Sequence, residues 1–499
     1  MKTIRLLEIK FSPLMTEPSP GKEYSSMPET RPWTCEDILD ATGAVLLSGK
    51  GDRIFSAIAT DSRKNLQKAL FIALRGENHD GHDFLEKALS GGCTGILMEK
   101  SRWQEASPFL RNAGLSVFGV DDTVKALGQL ARHRLSLFGS KVLAVTGSNG
   151  KTSTKEMLGC IFRKAGSCLV TEGNFNNEIG LPLTLFRLEP HDDWAILELG
   201  MNHPGEMERL SAICQPDMAI ITRIAPAHLE GLGSVEGVAR AKGEILSHMK
   251  KGGLILINGS DPNSKLIPMK EGIDILRFGR QEHCDFYMKD LQCHAMGSSF
   301  TLHRKDKPPL AITLMVPGAM MAENALAAAA AALNAGIPED LVQKGLASFK
   351  GFTGRFQPIA TPAGFTIIND TYNANPDSME AALSQAVRMA DPGRCFAILG
   401  SMGELGDDAA SLHRHVGILA AQKGIHALYT CGPHGKDFAE GARSAGMKKV
   451  FCNDKDQLAT MLFPELKPSD RVLVKGSRSM TMESVVDQLL QAARTAQGN

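Results

Sequence analysis

Gly147, Ser148, Asn149 and Gly150 are followed by Lys151, Thr152 and Ser153, where an apolar run ends and a helical pattern begins. That is the arrangement of a phosphate-binding loop. Glycines let backbone N–H groups face phosphate oxygens, the lysine reaches the terminal phosphates, the hydroxyl serves Mg2+, and the helix N-terminus adds positive potential. The general pattern G-x-x-x-x-G-K-[ST] has its first glycine where this chain has Val145, so the loop is a variant that opens at Gly147. Nucleoside triphosphate binding with Mg2+ is the expectation.

Three more groups could join that site. Glu198 interrupts an apolar run near its end, where a carboxylate costs desolvation energy unless a cation or donor meets it. His228 follows the apolar run 218–224, at what would be the same rim of a parallel sheet, and Lys242 begins or lies within the next helix. On spacing alone Glu198 also reads as a capping carboxylate, His228 as a loop histidine bonded to backbone, and Lys242 as a solvated helix residue. Residues 171–182 are dense in amides, among them Asn174, Asn176 and Asn177, which suit either polar-substrate recognition or turns. His283, Cys284, Cys293 and His294 fit none of the usual zinc-finger spacings, and 285–291 alternates like a strand.

The elements that must position these groups read as α/β. Apolar runs at 142–145, 194–199, 218–224 and 254–257, separated by helical patterns, predict parallel strands buried on both faces. A second series at 365–368, 396–399, 427–430 and 471–474 predicts another doubly wound sheet, and 33–139 reads as a smaller α/β domain. The boundaries that follow are a flexible extension at 1–32, then domains at 33–139, 140–353 and 354–499. With 55 Lys+Arg against 55 Asp+Glu and no dense basic run, nucleic acid is not expected as a partner. The alanine-rich run 325–333 falls far short of the roughly 20 residues that span a bilayer, so no integral membrane segment is expected. Ten scattered cysteines suit reduced thiols in the cytoplasm.

Taken together, the motifs resemble the Mur ligase family over roughly 33–495. They are Thr60 to Arg63 and Leu74 to Asp83 in the first domain, Thr146 to Ser153, Gly173 to Gly180, Glu198 to His203, Ala227 to Gly231 and Ala241 to Glu244 in the second, then Asn324, Arg355, Asn369 to Asn375, Leu399 to Gly406 and Val474 to Ser479. The resemblance implies a three-domain architecture: a UDP-substrate domain, a central P-loop ATPase domain on a mostly parallel sheet, and a mobile Rossmann-like C-terminal domain. Relatives that add diaminopimelate or lysine carry an Asn-Pro-Arg motif absent here, and the 173–180 block is typical of the dipeptide-adding branch. The implied reaction is ligation of D-alanyl-D-alanine to a UDP-N-acetylmuramoyl-tripeptide through an acyl phosphate, by a monomer. The third residue of that tripeptide is not decided by these motifs.

By the same resemblance Thr152 and Glu198 hold one Mg2+, while His228 and a carbamylated Lys242 serve a second. Lys151 neutralises phosphate charge, Asn324 contacts adenine, Arg355 the γ-phosphate, and Asp370 the ribose or the incoming amine. Arg355 lies just past the expected hinge, so closure of the last domain would deliver it to the triphosphate. Tyr372, Asn373 and Asn375, with the Asn174, Asn176 and Asn177 group, are candidates for the peptide ends. Ser62 and Arg63 would face the UDP-sugar; without the resemblance Arg63 reads as a surface ion pair. Two rivals stay open: a sibling amide ligase such as a folylpolyglutamate synthase, and a P-loop switch that ligates nothing.

Overall fold

The computed structural model describes residues 31–496 apart from 77, 78, 112, 295 and 296. The expected extension at 1–32 therefore lies outside the described residues except for Arg31 and Pro32, as do Glu77 and Asn78 of the first-domain motif. The chain divides into two compact units.

The first unit runs to Ser140 and includes Leu185–Asp192 and Leu333–Pro338. Among its described residues a five-stranded sheet has the order Val45–Ser48, Ser116–Val120, Gly95–Glu99, Leu70–Ile72, Ile58–Ala59, parallel except for the first pair. Ser116–Val120 is buried throughout, as expected of a strand covered on both faces. Helix Thr123–Phe138 begins on Asp122, whose side chain accepts from the Lys125 N–H at 2.9 Å, and stops at Gly139 in the left-handed region. From that helix Arg134 lies 4.2 Å over the Trp33 ring, which meets Phe186 edge-on at 5.5 Å.

The second unit holds a nine-stranded and a six-stranded sheet. Among the described residues the larger has nine strands, ordered Leu310–Leu314, Gly297–Arg304, Phe286–His294, Asp274–Gly279, Leu254–Asn258, Met218–Ile221, Lys141–Thr146, Trp194–Glu198, Cys168–Val170. It is parallel from Cys168–Val170 to Phe286–His294 and antiparallel beyond. The alternation at 285–291 thus belongs to a hairpin that extends the sheet. The run 218–224 stops being strand at Ile221, because Thr222 turns its hydroxyl onto the Thr146 and Asn149 carbonyls. Helix Ala319–Asn334 buries 325–332 on every side, which alanine's small volume permits.

The second sheet has six strands in the order Gln357–Ala360, Thr366–Asp370, Arg471–Lys475, Cys395–Gly400, Ala427–Cys431, Val450–Cys452, parallel except for the first pair. Helix Ala409–Lys423 puts Val416 and Ala420 into the core beside this sheet, and its His413 is fully buried and stacks on His434 at 4.5 Å. His413 Nδ1 donates to Ala409 O at 2.5 Å, so Nε2 is free to accept from the Met402 N–H at 2.8 Å. Burial pushes this imidazole down to about 4.

The unfolded chain therefore takes up the His413 proton near pH 6.5 and the folded chain only near 4, so stability falls as pH drops between those values. By pH 4 the loss is about 3 kcal/mol. Thermal midpoints measured from pH 7 to 4.5 should fall less steeply for His413→Gln than for the wild type; equal slopes would refute the assignment.

Candidate functional site

The strands Thr366–Asp370, Arg471–Lys475 and Cys395–Gly400 end at the same cavity as Lys141–Thr146 and Trp194–Glu198, a cleft of about 1310 Å3. Lys141–Thr146 and Met218–Ile221 are neighbours, and the chain leaves the first toward the Trp194–Glu198 side and the second toward Leu254–Asn258 on the other. That is the switch point at which open parallel sheets bind ligands.

The loop after Lys141–Thr146 is shaped by two glycines. Gly147 has φ 145° and Gly150 φ 87°; a Cβ would stand 2.0 Å from Thr222 Oγ1 at the first and 2.4 Å from Asn324 Oδ1 at the second. Ser148 is used to hold the loop: its N–H donates to Arg223 O at 2.7 Å and its hydroxyl to Ala225 O at 2.9 Å. Lys151 opens helix Lys151–Ala165, and its Nζ donates to Gly147 O at 2.7 Å. Burial lowers its pKa, with Arg355 adding to the effect and Glu198 and Glu404 opposing it. Ser153 lines the cleft beside it, and Thr152 sits behind, 3% exposed.

Glu198 ends its strand 3% exposed. Its Oε1 accepts from Asn176 Nδ2 at 2.9 Å, while Oε2 is buried with no partner among the described residues. An orphaned carboxylate oxygen beside a phosphate loop is the hard donor that Mg2+ requires, and with the Thr152 hydroxyl it fits such an ion. The backbone behind Glu198 is braced: its N–H donates to Thr171 Oγ1 at 3.1 Å, and the fully buried Lys155 donates to Thr171 O at 2.7 Å.

Arg355 reaches this group from the other sheet. Its Nη2 lies 3.2 Å from Thr152 Oγ1 and its guanidinium 3.9 Å from the Tyr372 ring. Asp370 accepts from the Phe356 N–H at 3.1 Å and pairs with Lys475 at 2.7 Å. Burial lowers the Lys475 pKa, and Asp370 opposes the shift. Sequence reasoning assigned Lys475 no role, although the rule that singled out Glu198, a charge at the end of an apolar strand, applies to it equally.

His228 has φ 55° and pairs through Nδ1 with Glu404, whose carboxyl the imidazole holds below its usual range. The backbone reading of His228 is thereby replaced by a carboxylate from the second sheet. Lys242 is not a solvated helix residue: within Val235–Gly243 it is 1% exposed. No carboxylate lies within ion-pair range of it among the described residues, and burial, helped by Lys151, puts its pKa well below normal.

The asparagines divide by task. Asn375 lines the cleft with its amide engaged inside the protein. It caps helix Pro376–Ala390 by accepting from the Ser378 N–H at 2.9 Å, and exchanges bonds of 3.3 and 2.9 Å with Asn149. Asn149 also donates to Asp377 at 2.8 Å, and Asp377 pairs with Arg223 at 2.9 Å; neither Asp377 nor Arg223 had a signal in the sequence beyond a first-turn acid and a loop cation. Asn177 is likewise committed, accepting from the Gly180 N–H at 2.8 Å at the start of Gly180–Leu185. Asn174, Asn373 and Asn324 line the cleft, the first two exposed. Ser62 and Arg63 belong to the first unit, where the exposed Arg63 forks onto Asp61 at 2.9 and 3.0 Å.

The glycine geometry predicts that Gly150→Ala weakens ADP binding at least tenfold, about 1.4 kcal/mol, without loss of secondary structure. Titration calorimetry beside circular dichroism checks this, and unchanged affinity would refute the cradle.

Comparison with known proteins completes the description. The family model described as "Mur ligase middle domain" matches residues 145–332, "Mur ligase, glutamate ligase domain" matches 354–478, and "Mur ligase family, catalytic domain" matches 55–135. A relative from Bacillus subtilis (strain 168), named "UDP-N-acetylmuramoyl-tripeptide--D-alanyl-D-alanine ligase", is 36% identical over 443 residues, 88% of this chain and 94% of its own. The solved structure of MurF from Acinetobacter baumannii superposes with a TM-score of 0.84 at 30% identity, covering 93% of this chain and 100% of that one. The MurF ligase from Thermotoga maritima in complex with ADP gives 0.77 at 28% identity, covering 88% and 98%. A likeness that runs through all three matched segments, in their order and along most of the sequence, is one of descent: this chain belongs to the Mur ligase family.

Proposed function

We propose that this chain is the ATP-dependent ligase that joins D-alanyl-D-alanine to a UDP-N-acetylmuramoyl-tripeptide in peptidoglycan synthesis. The observation that carries the reading is the 36% identity, over 88% of the chain, to a relative bearing that name. The ADP complex of the similar Thermotoga maritima ligase supports an adenine nucleotide in the cleft. Neither the sibling ligase nor the switch has an observation in its favour.

A carboxylate and an ammonium do not condense in water, so the carboxylate must first be activated. In this reading a carboxylate oxygen of the tripeptide attacks the γ-phosphorus of ATP, ADP departs, and the dipeptide amine then attacks the acyl carbon and expels phosphate. Lys151 and Arg355 offset the charge on the transferring phosphoryl group, and the loop N–H groups fix its position. Thr152 and Glu198 would hold Mg2+, which supplies further charge neutralisation when bound. Asn176 orients Glu198 for that task, and Asn324, which abuts Gly150 and lines the cleft, contacts adenine in this reading. Asp370 faces the ribose or the incoming amine, Asn174, Tyr372 and Asn373 the peptide ends, and Ser62 and Arg63 the UDP-sugar. Closure of the last sheet on the nucleotide completes the site.

Lys242 is assigned a carbamate. The neutral amine that burial favours would add to CO2 with loss of one proton, giving an anion suited, with His228, to a second Mg2+. In this reading the enzyme works in the cytoplasm, as a monomer. Among the described residues no helix is long and apolar enough to cross a membrane.

Phosphate release should require Mg·ATP, UDP-MurNAc-tripeptide and D-alanyl-D-alanine together, with a product heavier by the dipeptide; release with ATP alone would overturn the reading. Lys242→Ala should lose at least about a hundredfold in kcat, with partial recovery in bicarbonate or chloride. Unchanged turnover would remove Lys242 from the mechanism.

A further inference from the structure

Lys475 is a buried cation of the cleft to which the mechanism above gives no task. It ends an otherwise apolar stretch of strand and is 2% exposed. An ammonium so placed is costly unless its donors are met. Two of them are: Nζ lies 2.7 Å from Asp370 Oδ2 and donates to Asn373 O at 2.8 Å. Those acceptors are the two ends of one turn, 370–373, so a single side chain pins both.

Three contacts from that turn aim Arg355, beside the bond from its own N–H to Phe352 O at 3.1 Å. Asp370 Oδ1 accepts the Phe356 N–H at 3.1 Å, which fixes the backbone just after Arg355. The Tyr372 N–H donates to Gly354 O at 3.1 Å, which fixes the backbone just before it. The Tyr372 ring then supports the guanidinium at 3.9 Å while Nη2 meets Thr152 Oγ1 at 3.2 Å. Arg355 Nε is buried without a partner among the described residues, so polar contacts at that nitrogen do not set its direction.

We propose that Lys475 is a positioning residue for phosphoryl transfer: through the 370–373 turn it sets where the Arg355 guanidinium meets the phosphate loop. The inference rests on the reading of Arg355 as a ligand of the γ-phosphate. Misplacement by about 1 Å is enough to cost a large factor in rate with little change in substrate binding.

The test measures kcat and KM for ATP and for UDP-MurNAc-tripeptide in the full chain, comparing wild type, Lys475→Met, Lys475→Arg, Arg355→Ala and the Lys475→Met/Arg355→Ala double variant. Lys475→Met should lower kcat by about ten- to a hundredfold with the tripeptide KM within about threefold, and Lys475→Arg should recover most of the rate. The double variant should be no more than about twofold slower than Arg355→Ala alone, because the lysine acts through the arginine. Losses that multiply in full, or a change confined to KM, would overturn the proposal. Wild-type kcat in Arg355→Ala would instead overturn the reading of Arg355, and the inference with it. Lys475→Met leaves Asp370 buried without its cation; should it fail to fold, Lys475→Gln, which keeps a donor for both acceptors, replaces it in the same comparison.

Discussion

Ionisable groups held out of water, at strand ends and in the helices beside them, are the constraint from which the rest of this molecule follows. Lys151, Lys155, Glu198, Lys242 and Lys475 are all buried or nearly so, around one loop and its approaches. Each must find a partner or shift its protonation. Lys155 is met by Glu156 and the Thr171 carbonyl, and Lys475 by Asp370 and the Asn373 carbonyl. Glu198 keeps one oxygen unmet, and Lys242 has no carboxylate near it among the described residues. The open Glu198 oxygen is one that a nucleotide's cation would satisfy, so that part of the field is set before substrate arrives.

The nucleotide loop belongs to two sheets at once. It grows from one, and its Asn149 and Thr152 are gripped by Asn375, Asp377 and Arg355 from the other. Glu404 adds a fourth contact by pairing with His228. His413, deep under helix Ala409–Lys423, fixes Met402, two residues before that glutamate. Packing far from the cleft thus decides where a charged group stands within it.

Much of this was legible in the residues. Strands such as Lys141–Thr146, Trp194–Glu198 and Cys395–Gly400 stand where continuous apolar runs predicted them, because burial on both faces leaves no polar alternation to confuse the signal. The loop was legible from Gly150-Lys151-Thr152, since only a few residue types satisfy its geometry. The hairpin extension was read only in part, because Phe286–His294 alternates weakly and its partners pair by long-range register. The asparagines were the harder case. Asn174, Asn176, Asn177 and Asn375 share one chemistry, and only three-dimensional placement separates the one that orients Glu198 from those that cap helices. Lys475 was overlooked although its position obeys the rule applied to Glu198, and Asp377 reads in sequence as an ordinary acid in the first turn of a helix.

The paired amides of Asn149 and Asn375 carry a consequence for substitution. Each side chain gives the other a donor and takes an acceptor in return, at 2.9 and 3.3 Å, across 226 positions of sequence. A lone change of either to aspartate sets two acceptors face to face, and a lone change to alanine strands a buried amide against the phosphate loop. The two positions are therefore coupled in energy, so a change in one half of this protein is felt at a residue in the other.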